Sequence, residues 1–141
     1  MSIGANQKGF TLIELVMIIV ILGILAAVAI PKYQDLSTEA KEAAARSSLG
    51  SLRSGITIFY ANQAVQNGTA IWPTISELQA VGTVMAQAIP ANPYCDEASY
   101  PDSVVAGTTK GTVVGSDCGW AYNATTGEIW PNTSNVGENN W

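Results

Sequence analysis

The chain has 141 residues, 48% of them hydrophobic, and six Lys and Arg against eleven Asp and Glu give a formal net charge of -5. Without a clustered basic stripe, that balance excludes the phosphate-neutralising surface that a nucleic-acid partner requires. There is no His and there are only two Cys, Cys95 and Cys118, so neither a zinc site nor a Cys/His nucleophile pair can be assembled. No catalytic grouping of nucleophile, base and oxyanion donors can be named, and no cofactor is expected.

Met1 to Gly9 is short and polar, with one cation, Lys8, as expected of an end that stays in the cytoplasm. The next stretch, Phe10 to Ile30, is almost unbroken in its apolarity. At a helical rise of about 1.5 Å per residue it reaches roughly 31 Å, the thickness of a bilayer's hydrocarbon core. A secretory signal is one reading, with Ala26 and Ala27 imitating the small residues of a cleavage site after the apolar run. A spanning helix that stays with the protein is the other.

One carboxylate, Glu14, interrupts the apolar run near its start. An acidic residue in a spanning helix costs on the order of 2.5 to 3.5 kcal/mol at mid-membrane, and less near the end where Glu14 lies. Glu14 either reaches out to the interface or finds a positive group when several copies pack together. Phe10 to Ile30 contains no Lys or Arg, so the nearest candidate is the new α-amino group made by cutting after Gly9.

A glycine, then Phe10, then a carboxylate as the fifth residue from that Phe, all opening an apolar helix, resembles the N-terminal signature of the type IV pilin and pseudopilin superfamily. The resemblance implies that a prepilin peptidase in the inner membrane removes Met1 to Gly9 and N-methylates Phe10. It also implies that Glu14 pairs with the N-terminal amine of a neighbouring subunit during assembly. The partners implied are further copies of the chain, the inner membrane before assembly, and the assembly platform with its ATPase. After the cut, five Lys and Arg face eleven Asp and Glu, a side-chain balance of -6.

Pro31 marks the end of the apolar run, and a proline inside a helix removes one hydrogen bond and favours a kink or local melting. The sequence beyond it stays helix-compatible, with Ala40, Ala43, Ala44 and Ala45 and an i,i+4 pair of Glu42 with Arg46. The helix is therefore expected to continue to Asn67-Gly68, where glycine supplies a stop. Ala45, Leu49, Leu52, Ile56 and Phe59 form a stripe suited to docking on a sheet. Leu36, Ala40, Ala43 and Ser47 form a second, small-residue stripe, open either to neighbouring helices or to no partner at all. Asp35, Glu39, Glu42, Arg46 and Arg53 share a charged side.

From Thr69 the composition turns to Gly, Thr, Asn, Pro and β-branched residues. Ile75 to Gly82 reads as one or two helical turns, and Ala88 to Tyr94 as a proline-restricted loop. Thr112 to Val114, Trp120 to Asn123 and Glu128 to Trp130 read as strands, with a turn over Ala124 to Gly127. Together they predict an α+β, pilin-like fold: a long N-terminal helix, apolar then amphipathic, packed on a small antiparallel sheet. The expected segments are a leader at 1-9, a membrane and filament-core helix at 10-31, an amphipathic helix half at 32-68 and a β-rich region at 69-141.

If the C-terminal half is exported, Cys95 and Cys118 form one disulfide, worth roughly 3 kcal/mol in the chain-entropy account; otherwise they are two small core residues. Gly119 to Trp130 is similar to the last hairpin of many bacterial pilins, and the loop that Cys95 and Cys118 bracket before it is similar to their disulfide-bounded surface region, although there the second Cys commonly lies nearer the C-terminus. Asn67, Asn123 and Asn132 begin N-x-S/T tripeptides, which arise easily in an Asn- and Thr-rich tail. The four Trp and five Tyr are best read as core aromatics.

The resemblance implies the major subunit of a type IV pilus, an inner-membrane precursor that becomes an extracellular filament. A type II secretion pseudopilin, periplasmic, is the alternative. Asp96, Glu97, Asp102 and Asp117 are conceivable oxygen ligands for the calcium such pseudopilins hold, but their spacing matches no calcium loop and no metal is expected. A monomeric membrane-anchored binding module is the reading from a different class.

Overall fold

A computed structural model describes residues 9-95 and 100-141. The proposed leader up to Lys8 and the acidic pair Asp96 and Glu97 lie outside the described residues. The chain divides into two units, Met1–Glu39 and Ala40–Trp141.

Helix α1, Leu12–Asn67, passes through Pro31 without a break in the helix. Local melting at Pro31 does not occur, because one missing N–H removes a single bond from a long ladder. In the first unit the apolar side chains of α1 are exposed, from Leu12 at 80% to Ile30 at 59%. Among the described residues, the segment has no protein partner within its own unit.

The second unit is built on the other half of α1. Its docking stripe behaves as the spacing predicts: Ala45, Leu49, Leu52 and Ile56 are buried and Phe59 is half-buried. Leu49, Leu52 and Ile56 meet Leu78, Ile89, Val104, Trp120, Tyr122 and Ile129 in one core. Leu36, in the first unit, and Ala43 and Ser47, in the second, are exposed, as are the Glu42 and Arg46 side chains, which pair at 2.9 Å. Arg53 departs from the charged side assigned to it. It is half-buried and donates to the main-chain oxygens of Ile129 (3.2 Å) and Trp141 (2.6 Å).

Helix α2 is short, Ile75–Gln79, and starts on a capping box in which Thr74 and Glu77 satisfy each other's backbone N–H. The three-stranded sheet runs β1 (Val104–Ala106), β2 (Trp120–Asn123), β3 (Glu128–Pro131), in that order. β2 and β3 form the expected hairpin, with Tyr122 opposite Ile129 and Ala121 opposite Trp130. The sheet is mixed rather than wholly antiparallel, because β1 pairs parallel to β2. A parallel neighbour needs a long return connection, and the segment from Gly107 to Gly119 supplies it.

That connection also explains the strand expected at Thr112 to Val114, which does not form. Val114 N–H donates to Asn132 Oδ1 (2.7 Å), and Asn132 Nδ2 donates to Val114 O (2.8 Å). A side-chain amide thus supplies the pairing a neighbouring strand would have given. The same connection covers the sheet face turned away from α1. Trp130 is buried and its indole N–H donates to Thr112 O (2.9 Å). Gly107 lies against that ring, where an added Cβ would sit 2.5 Å from Trp130.

Cys95 and Cys118 are joined in a disulfide with Cα atoms 5.8 Å apart. Next to it, buried Asn92 donates through Nδ2 to Gly119 O (2.9 Å) and Thr133 Oγ1 (3.2 Å), while its Oδ1 accepts from Tyr94 N–H (3.1 Å). Loops with little regular structure are thereby held by side-chain amides and one covalent tie.

Candidate processing and assembly site

The candidate site lies at the start of α1. Gly9 and Phe10 precede the helix, Phe10 is 82% exposed, and an added Cβ on Gly9 would meet nothing within 4 Å. The Gly9–Phe10 peptide bond is therefore outside the helical ladder and sterically open.

Thr11 is the residue before the first helical one, and Glu14 is the third residue of the helix. Thr11 N–H donates to Glu14 Oε2 (2.8 Å), Thr11 Oγ1 donates to the same oxygen (2.8 Å), and Glu14 N–H donates to Thr11 Oγ1 (3.3 Å). This is a reciprocal capping box. Leu15 N–H to Thr11 O (3.2 Å) then closes the first turn. Glu14 thus has a partner within the chain that the sequence reading missed. The T-x-x-E spacing ahead of an apolar run was the signal, and the same T-x-x-E spacing recurs at Thr74 and Glu77.

The capping box answers only part of Glu14's requirement. Both Thr11 bonds that reach the carboxylate end on Oε2, which leaves Oε1 available to another donor. The anion also lies at a helix N-terminus, where the peptide dipoles favour negative charge. Its charge is nevertheless not neutralised from its own segment. The first cation after it is Lys32, eighteen residues on, which at helical rise is about 27 Å away. Among the described residues, no positive group on the same segment reaches Glu14 Oε1.

Among the described residues no group of three or more His, Cys, Asp or Glu could hold a metal ion. Of the N-x-S/T asparagines, Asn132 is buried with its amide fully engaged, Asn123 bonds to Thr108 O and to the turn at Thr125, and Asn67 is exposed.

Residues 4–30 match the family model described as the prokaryotic N-terminal methylation motif. The chain is 35% identical over 111 residues to the type IV major pilin protein PilE of Neisseria gonorrhoeae, covering 79% of this chain and 61% of that protein. It is 33% identical over 109 residues to the fimbrial protein EcpC of Eikenella corrodens, covering 77% of this chain and 66% of that one. A fimbrial protein of Pseudomonas aeruginosa is 51% identical over 47 residues, 33% of this chain and 30% of its own length. The matches thus span less than two thirds of the length of these relatives, and no solved structure matches significantly. The methylation motif at the N-terminus, the relatives' extension of the match across most of the chain, and the α+β fold together place the chain in the type IV pilin superfamily.

Proposed function

We propose that this chain is the major structural subunit of a type IV pilus, made as an inner-membrane prepilin and drawn into a helical filament on the cell surface. The observation that carries the reading is the start of α1. The exposed apolar first half of α1 opens on a carboxylate that is capped on one oxygen and that, among the described residues, has no counter-charge on its own segment. The relatives' names, major pilin and fimbrial protein, support a filament subunit over a secretion pseudopilin.

In this account a prepilin peptidase cuts between Gly9 and Phe10, the leader 1-9 is lost, and Phe10 becomes the N-methylated first residue. The new ammonium of one subunit meets Glu14 of its neighbour as segments 10-31 leave lipid and pack against one another. Pro31 supplies a bend between that segment and the amphipathic half. Identical, non-closing contacts propagate as a helical filament. The assembly platform and its ATPase drive extraction, and the chain performs no catalysis.

The test is Glu14→Ala. Removing the carboxylate leaves apolarity intact, so the variant inserts in the inner membrane at wild-type levels while surface filament yield falls by about tenfold or more, the equivalent of roughly 1.4 kcal/mol per contact. Wild-type filament yield in that variant would contradict the pairing role.

A further inference from the structure

We propose that Asn67 is a site of spontaneous, non-enzymatic deamidation, a slow covalent change written into the C-terminal end of α1. Asn67 is the last residue of the helix, and Gly68 follows it at φ 71°. Both are exposed, and an added Cβ on Gly68 would meet nothing within 4 Å. Asn67-Gly68 is the one Asn-Gly step in the sequence.

The reaction needs the main-chain nitrogen after an asparagine to reach that asparagine's side-chain amide carbon. Gly68 N attacks Asn67 Cγ and gives up its proton, the Cγ–Nδ2 bond breaks, and Nδ2 leaves as ammonia. Water then opens the cyclic imide at either carbonyl, leaving Asp or isoaspartate. No oxidant, reductant or cofactor enters.

Within a helix the ladder holds that nitrogen away, but at Gly68 the hold is one main-chain bond, Gly68 N–H to Ala64 O (3.1 Å), beside one side-chain bond from Asn67 Nδ2 to Gln63 Oε1, both in an exposed last turn. Opening such a terminal turn requires little free energy, and glycine places no side chain in the path of attack. The other asparagines lack this combination. Asn92 is buried and followed by Pro93, whose nitrogen has no proton to lose; Asn132 is buried with its amide engaged; Asn123 is tied to Thr108 and its own turn.

The product differs from the starting chain in charge and path. A new carboxylate appears at the helix end where the peptide dipoles already concentrate negative charge, and no basic residue sits in that last turn to offset it. Isoaspartate also reroutes the main chain through a side-chain carbon where α1 hands over to the following segment.

The experiment incubates the full chain in detergent micelles at neutral and mildly alkaline pH, followed by peptide mapping. The expected result is conversion of amide to acid at Asn67, with both Asp and isoaspartate products, faster at the higher pH. Asn67→Gln, which would need a larger ring, and Gly68→Ala, which obstructs the nitrogen, both suppress it. Intact Asn67 under conditions where other asparagines convert, or an unchanged rate in both variants, would overturn the proposal.

Discussion

Glu138 shows how a single residue can stabilise a fold that sequence pattern leaves loose. It is fully buried in a turn near the C-terminal end of the chain and accepts from Asn135 N–H (3.0 Å) and Val136 N–H (2.8 Å). Burial pushes its carboxyl upward, but hydrogen bonds from Thr133, Val136, its own N–H and Asn135 outweigh that and hold it below the ordinary glutamate value. A depressed folded value means that the contribution is complete above the unfolded value and is lost as pH falls through the folded one. Glu138→Gln should therefore cost about 1 to 3 kcal/mol near neutral pH, and the difference should shrink on acidification. Urea titrations of the full chain in micelles at neutral and acidic pH check both parts. Nothing in the sequence around Glu138 announced this, because the donors are backbone amides brought together by a turn. Tyr122 is the converse case. Its ring lies in a predicted strand, and burial beside Glu77 lifts its hydroxyl to about 12 while it donates to Pro73 O (2.9 Å).

At the scale of elements, legibility followed the regularity of the pattern. The docking stripe of α1, its end at Asn67, the hairpin of β2 and β3 and the Glu42–Arg46 pair could all be read because each rests on a fixed spacing. β1 could not, since three residues carry no alternation to detect and their partner lies across a long connection. The false strand at Thr112 to Val114 has β-branched residues, yet its bonds go to Asn132. The capping box at Thr11 and Glu14 is legible in the T-x-x-E spacing ahead of the apolar run. The helix-to-sheet contact gives the clearest test at this scale. Leu52 has no solvent exposure and sits in the middle of the buried stripe. Leu52→Ala should destabilise the second unit by about 2 to 5 kcal/mol through lost burial and a cavity, measured by denaturant unfolding followed through tryptophan fluorescence. A loss well under 1 kcal/mol would mean that the stripe is not the main contact of the helix with the sheet.

For the whole molecule, the two ends of α1 have different requirements. The half in the second unit is satisfied within its own unit by the core it shares with α2 and the sheet. The half in the first unit is not, and its exposed apolar surface must be covered by something outside the chain. A bilayer can cover it, and so can neighbouring copies; in the proposed filament the second would also engage the Glu14 oxygen that Thr11 leaves unbonded. The disulfide between Cys95 and Cys118 is what an exported second unit would carry. Reducing it should lower that unit's stability by roughly 3 kcal/mol, read from the shift in denaturation midpoint with and without reductant.

Everything at the largest scale depends on the cut between Gly9 and Phe10. The direct measurement is the N-terminal sequence and mass of the mature protein isolated from cell-surface filaments. The account predicts a chain that begins at N-methylated Phe10 and retains the whole apolar segment; a chain that begins at Met1, or after Ala27 with that segment gone, would contradict it.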